Sequence, residues 1–210
     1  SFELRDVKLL DAQGRSALEL PRVLAALSWT SVLRFDFDQL YLDQPTLEIR
    51  RTPDGRVFVA GLDVSSGPPG SDTRMADWFF SQREFVIRGA TVRWIDEQRA
   101  VEPLELKALE FVMRNGARSH DLRIDATPPA GWGQRFQVVG KFRRPLLSLH
   151  AGRWADWDGQ VFADSSQVDI SQLRRYVSLG GGVELREGTG AVRAWIDVAR
   201  GELVGGVADL

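Results

Sequence analysis

Leu122-Arg123-Ile124 and Phe136-Gln137-Val138 each place one polar residue between two apolar ones. Side chains along an extended strand point to opposite faces in turn, so this spacing makes one dry face and one wet face. A helix would need its apolar residues three and four apart. The same alternation returns at Phe35-Asp36-Phe37, Leu47-Glu48-Ile49, Val92-Arg93-Trp94 and Val192-Arg193-Ala194-Trp195-Ile196. Repeated along the chain, it predicts an all-β protein whose sheet is apolar on one side.

Turn chemistry separates these blocks. Pro53-Asp54-Gly55 divides Leu47-Glu48-Ile49 from Val57-Phe58-Val59, and Asn115-Gly116 divides Phe111-Val112-Met113 from Leu122. Asp-Gly and Asn-Gly tolerate the positive φ that tight hairpins demand. Asp96-Glu97-Gln98-Arg99 closes another hairpin, returning at Leu104, and Gly188-Thr189-Gly190 divides Val183-Glu184-Leu185 from the Val192 strand. Three short stretches read as helix. They are Pro21 to Leu27, Thr73 to Gln82 capped by Ser71-Asp72 with Met75, Trp78 and Phe79 on one side, and a turn capped by Ile170-Ser171 that carries Leu173, Tyr176 and Val177. The expected fold is a curved, twisted, mainly antiparallel sheet, groove-like or partly closed, with these helices at its margin. Ser65-Ser66-Gly67-Pro68-Pro69-Gly70 predicts a flexible loop over 65–71. Strands of one kind continue on both sides of it, so residues 1–210 read as a single elongated β-rich segment. Both ends stop in mid-pattern, at Ser1-Phe2-Glu3-Leu4 and Val207-Ala208-Asp209-Leu210, which is expected of a piece of a longer protein.

Composition narrows the function. Twenty-seven basic and 29 acidic residues are interleaved to a net charge of −2, which leaves no basic stripe for nucleic acid. With no cysteine there is no disulfide, thiolate nucleophile or cysteine metal site. His120 and His150 sit beside polar residues and read as surface or turn histidines, too few and too far apart for zinc. Gly180-Gly181-Gly182 and Gly188-Thr189-Gly190 read as flexible turns, since no Gly-Lys-Ser/Thr follows them. Asp36 and Asp38 fall on the wet face and do not form a hydrolytic pair. Trp154-Ala155-Asp156-Trp157-Asp158-Gly159 mixes acids with aromatics, which leaves a glycan site at Trp154 and Trp157 as a minor reading beside an ordinary turn. No nucleophile elbow or Ser-x-x-Lys motif occurs, so neither an enzyme nor a cofactor is expected. No run of about 18 apolar residues is present either.

The informative feature is the dry face. Phe35, Phe37, Leu47, Ile49, Val92, Trp94, Leu122, Ile124, Phe136, Val138, Val192 and Ile196 would form an apolar strip across successive strands. Such a strip fits a sandwich core covered by a second sheet. It also fits a curved sheet that holds a lipid chain, each buried methylene being worth about 0.8 kcal/mol.

Three groups of residues carry a family resemblance. Leu40-Tyr41-Leu42-Asp43-Gln44-Pro45-Thr46-Leu47-Glu48-Ile49-Arg50-Arg51, followed by Asp54-Gly55 and Val59-Ala60-Gly61-Leu62, looks like an AsmA-like element: a Pro-x-Leu step, an Arg-rich strand, a Gly turn and a Gly-Leu return. Phe85-Val86-Ile87-Arg88-Gly89-Ala90-Thr91-Val92-Arg93-Trp94-Ile95-Asp96 is similar to a strand pair of YhdP-type proteins. Asp158-Gly159-Gln160-Val161-Phe162, Leu173-Arg174-Arg175-Tyr176 and Gly190-Ala191-Val192-Arg193-Ala194-Trp195 resemble the same branch. Together the matches cover roughly residues 28 to 204. The resemblance implies a segment of a long periplasmic protein, tethered to the inner membrane elsewhere, that shields phospholipid acyl chains in a groove on their way to the outer membrane. It implies phospholipid and the adjoining segments of the same chain as partners, and no catalytic residues. The alternative is a structural β-scaffold of the cell envelope. About fourteen strands at about 4.8 Å each would span about 65 Å, too short to cross the periplasm unaided.

Overall fold

In the computed structural model the structure describes residues 2–11, 13–26, 39–63, 80–99, 101–145, 156–173 and 188–209. Their strands are β1 (Phe2–Leu10), β2 (Ser16–Ala26), β3 (Gln39–Asp43), β4 (Thr46–Arg51), β5 (Val57–Val59), β6 (Leu62–Asp63), β7 (Glu84–Asp96), β8 (Leu104–Asn115), β9 (Ser119–Thr127), β10 (Phe136–Arg143), β11 (Asp158–Asp169), β12 (Thr189–Ala199) and β13 (Glu202–Asp209). All thirteen belong to one sheet. From β7 to β13 it is an antiparallel meander, each strand pairing with the one before it in the chain. The predicted turns at Gly55 (φ 87°), Asn115-Gly116 and Asp96–Arg99 all close hairpins.

The N-terminal third departs from a meander. β3 and β4 lie end to end in one row, both parallel to β7, and the same offset holds from Gln39↔Glu84 through Arg51↔Asp96. β2 is antiparallel to both and to β1. β5 and β6 fold back from β4 beyond Gly55.

One transverse line of irregularity crosses five neighbouring rows, with left-handed backbone in four of them and Pro21 in the fifth. Asp6 (φ 54°) in β1 stands opposite Pro21 in β2, and Pro21 stands opposite Gln44 (φ 50°) between β3 and β4. Gln44 faces Gly89 (φ 61°) of β7, and β8 carries Ala108 (φ 46°) beside it. On each strand the apolar phase changes at this line: Phe2 and Leu4 give way to Val7 and Leu9, Leu18 and Leu20 to Val23 and Ala25, Leu40 and Leu42 to Leu47 and Ile49, Phe85 and Ile87 to Val92 and Trp94, Leu104 and Leu106 to Phe111 and Met113. A left-handed residue in a strand acts as a bulge and turns over the side that follows it. The backbone flip and the sequence flip cancel, so these named apolar residues stay on one side, while Tyr41, Val86 and Val112 face the other. Leu20 accordingly packs with Val23 and Ala25, although unbroken alternation would put it on the opposite face.

Two expectations are corrected. Pro21 to Leu27 is not a helix; through Ala26 it is the second half of β2, because pairing with β1 and β3 on its two sides buries Val23 and Ala25 alternately. Pro21 is tolerated in an interior strand because it sits on the irregular line, where β3 hands over to β4. His120 is not a surface histidine: only 2% of it is exposed. The helix from Thr73 to Gln82 lies mostly outside the described residues, with Phe80 and Ser81 helical at its end. The turn after β11 is a one-turn helix, α1 (Ile170–Leu173). The loop over 65–71, the strand at Val183-Glu184-Leu185, His150 and Trp154 lie outside the described residues.

Candidate functional site

Direct cross-strand partners share a face, so the register maps each side of the sheet. Below the irregular line the dry side runs from Val23 and Ala25 to Leu42 and Leu40, Ile87 and Phe85, then Phe111 and Met113. It continues through Ile124 and Leu122, Val138 and Gly140, Ala163 and Val161, to Ala194 and Ile196. The opposite side carries apolar residues at Tyr41, Val86 and Val112 and at Val139, Phe162 and Trp195, together with polar partners: Glu84 and Arg114 at 2.9 Å, Gln137 and Asp125 at 3.2 Å, Asp164 and Arg193 at 3.2 Å, Gln160 and Asp197 at 2.9 Å. Exposed pairs of this kind contribute about 0–1 kcal/mol, so they mark the wet side and do not hold the sheet together.

The described residues of the predicted strip lie in two groups. Leu122, Ile124, Phe136 and Val138 lie on the adjacent rows β9 and β10 of the dry side, and Val192 and Ile196 on β12 one row beyond β11; all are half-buried. Leu47 and Ile49 stand directly opposite Val92 and Trp94 above the irregular line, also half-buried. Phe35 and Phe37 lie outside the described residues. Sequence alternation missed the most deeply covered members: Val23, Ala25, Leu40, Phe85 and Met113 form the buried cluster, with Leu20, Leu42, Ile87 and Phe111 packed against it. Phe85-Val86-Ile87 conceals its inward residues in an unbroken apolar run, and Val23 and Ala25 fall in a stretch whose leading proline suits a helix.

Polar groups close the dry side at both strand ends. At one end Arg51 stands opposite Asp96, whose side chain is fully covered, and its guanidinium lies 5.9 Å from the Trp94 ring centre. Burial alone would raise the Asp96 pKa. The Arg51 guanidinium, donating from Nε at 3.0 Å and from Nη2, and the Arg99 N–H at 3.1 Å outweigh it and hold the carboxyl below its usual range.

At the other end is an aromatic layer. Trp157, 5% exposed, stacks on His120 with ring centres 4.2 Å apart, meets Phe80 edge-on at 4.7 Å and leans on Phe142 at 5.6 Å. That burial removes the face a sugar would need, so Trp157 is a packing residue. His120 Nδ1 donates to Asn115 Oδ1 at 2.7 Å, and Asn115 Nδ2 donates to the Gln82 carbonyl at 2.7 Å. Burial, seconded by the Arg144 charge and opposed by Asp121, pushes the imidazole pKa down to about 4. Among the described residues His120 Nε2 and Trp157 Nε1 are buried without a hydrogen-bond partner.

Both outer rows of the sheet are exposed along their length. β13 is exposed at every residue, with Leu203 at 73% and Val207 at 66%, and β1 exposes Leu4 and Leu10. Among the described residues no helix is long and apolar enough to cross a membrane. The family model described as YhdP protein matches residues 1–210. No curated protein and no solved structure matches the chain.

Proposed function

This chain belongs to the YhdP family, and from that premise we propose that it is a segment of a periplasmic lipid carrier. In this reading the dry side of the sheet shields the acyl chains of a phospholipid between the inner and outer membranes, and the headgroup stays in water. Leu47, Ile49, Val92, Trp94, Leu122, Ile124, Phe136, Val138, Val192 and Ile196 are the described residues that would meet the chains. Phe35 and Phe37 complete the proposed set.

One observation carries the reading: all described strands form one sheet whose apolar side chains run on across neighbouring rows, buried around Val23, Ala25, Leu40, Phe85 and Met113 and half-buried at Leu122, Ile124, Val138, Val192 and Ile196. Ten methylenes laid on such a surface would gain about 8 kcal/mol, ample to hold a lipid without catalysis or a cofactor. Ten rows of strand amount to about 43 Å of surface across the strands, so this segment would be one stretch of a longer path. Native mass spectrometry of the purified chain, with organic extraction of what it carries, tests the proposal. Co-purified phospholipid in near-stoichiometric amount is expected, and a lipid-free protein that takes up no phospholipid from vesicles contradicts it.

The exposed apolar edges favour a second role that fits beside the first. β1 and β13 would pair with neighbouring segments of the same protein, making the sheet part of an envelope scaffold.

A further inference from the structure

The strand end that carries the aromatic layer ends in arginines without acidic partners. Along β9 the dry side reads Ile124, Leu122, His120, and the same alternation one step further reaches Arg118. Along β10 it reads Val138, Gly140, Phe142, then Arg144. Phe142 stands opposite His120, and the Arg144 N–H donates to the Arg118 carbonyl at 3.0 Å, which extends the ladder. Both guanidinium groups are held only by backbone: Arg118 donates to the Arg144 carbonyl at 3.3 and 3.2 Å, and Arg144 to the Ala117 carbonyl at 2.8 Å. Arg83, exposed, joins the same corner, since its carbonyl accepts the Asn115 N–H at 2.8 Å. Among the described residues none of the three has a carboxylate within ion-pair distance.

The opposite strand end is different. There Arg15 meets Asp11 at 2.7 Å, Arg50 meets Glu48 at 2.6 Å and also Glu97, Arg51 meets Asp96, and Arg56 meets Asp54 at 2.6 Å. Four arginines at that rim hold carboxylates, with Arg135 there donating to the Ala108 and Asp125 carbonyls and the Thr127 hydroxyl, whereas among the described residues Arg83, Arg118 and Arg144 hold no carboxylate. Arginines gathered without counter-charge repel one another and gain most from a bound anion that accepts several N–H groups at once.

On one rim, then, the surface passes from aliphatic to aromatic to cationic within a few residues along each strand. An amphiphile with an anionic phosphate head and an apolar tail has the same order of chemistry along its length. Resting on the lipid-carrying reading above, we infer that Arg118 and Arg144, with Arg83, form a headgroup site for the phosphate of a bound lipid. The tail runs past the half-buried Phe142 toward Val138 and Leu122. Lipid is thereby loaded in one orientation, headgroup over this rim and not over the Arg51–Asp96 rim.

The test is calorimetric titration of the intact chain with three probes: dodecyl phosphate and dodecyl maltoside, both below their micelle concentrations, and inorganic phosphate. The wild type is expected to bind dodecyl phosphate at least tenfold tighter than dodecyl maltoside, and inorganic phosphate far more weakly than either. The double substitution R118Q/R144Q should weaken dodecyl phosphate at least tenfold and leave dodecyl maltoside within twofold. Because that pair also braces a turn, R83Q is the second variant: among the described residues the Arg83 side chain holds no partner, and the change should weaken dodecyl phosphate about threefold. R143Q, on the wet side of β10, should change neither. Equal binding of the two dodecyl probes by the wild type overturns the headgroup site and leaves the apolar surface standing. Inorganic phosphate binding as tightly as dodecyl phosphate overturns it too, and so does a parallel loss of both dodecyl probes in R118Q/R144Q and R83Q. Binding of no probe overturns the lipid reading itself.

Discussion

Gln44 and Gly89 face each other across the parallel boundary between β3–β4 and β7, both with left-handed backbone. The Gln44 N–H donates to the Arg88 carbonyl at 2.7 Å and the Thr91 N–H to the Pro45 carbonyl at 2.9 Å, so the ladder survives the interruption. Paired irregularities of this kind let five rows turn over together without losing register.

Gly89 should therefore resist substitution for a conformational reason and not a steric one. A β-carbon there would meet Gln44 Cγ at 3.4 Å, an ordinary contact, but would have to adopt φ +61°. Gly89→Ala should cost about 1–2 kcal/mol in urea unfolding. Gln44→Gly should change stability by less than about 0.5 kcal/mol, since relief of strain offsets added chain entropy. An unchanged midpoint for Gly89→Ala would count against the left-handed row.

His120 gives the fold a sensitivity to mild acid. Folded, the imidazole stays neutral down to a pKa of about 4, against 6.5 for an unperturbed histidine. The unfolded chain then binds the extra proton between these values, so the contribution is fully present above about 6.5 and is lost as pH falls toward 4. The expected loss is about 2 kcal/mol between pH 7 and pH 5. His120→Phe, which keeps a ring against Trp157, should flatten the curve in that window. The depressed carboxyls Asp96 and Asp125 act in more acid solution, where stability falls as pH drops below their unperturbed value of 3.8.

Removing either member of the Arg51–Asp96 pair should be destabilising, but unequally. Arg51→Leu leaves a fully covered carboxylate with one charged partner fewer, and should cost about 3 kcal/mol or more. Asp96→Leu leaves an arginine whose side chain is 20% exposed and can reach water, so it should cost less. Equal losses in thermal unfolding would contradict this asymmetry.

The outer edge of β13 should govern association. Leu203→Lys with Val207→Lys puts two charges on an exposed edge where no packing is lost, so stability should shift by less than about 0.5 kcal/mol. Sedimentation velocity should show less self-association in the variant than in the parent chain. An unchanged distribution would remove the edge from the account.

Much of this architecture is readable from residue order. Period-two alternation gives the strands from β7 to β13, and Asp96–Arg99 and Asn115-Gly116 give the β7–β8 and β8–β9 hairpins, because nearest-neighbour hairpins need only local information. The parallel return of β7 onto β3–β4 needs contacts 45 residues apart, which no local pattern encodes. Pro21 misled for a related reason: a proline before Val23 and Leu24 suits a first helical turn, and only the facing Asp6 and Gln44 make it a strand residue. The phase change from Leu42 to Leu47 is visible in the sequence, but it signals a shared crease only once five strands are seen to change together. His120 lies among Ser119 and Asp121, whose side chains point away from it, so its burial under Trp157 was hidden.

The central claim is that the dry side of the sheet takes up acyl chains and the wet side does not. With no native cysteine, a single label can be placed at will. Val138→Cys on the dry side and Lys141→Cys on the wet side of the same strand would each carry an environment-sensitive fluorophore. On adding phospholipid vesicles, the label at 138 should shift to the blue and become protected from an aqueous quencher, while the label at 141 stays unchanged. Matching responses at the two positions, or none at either, would contradict the claim.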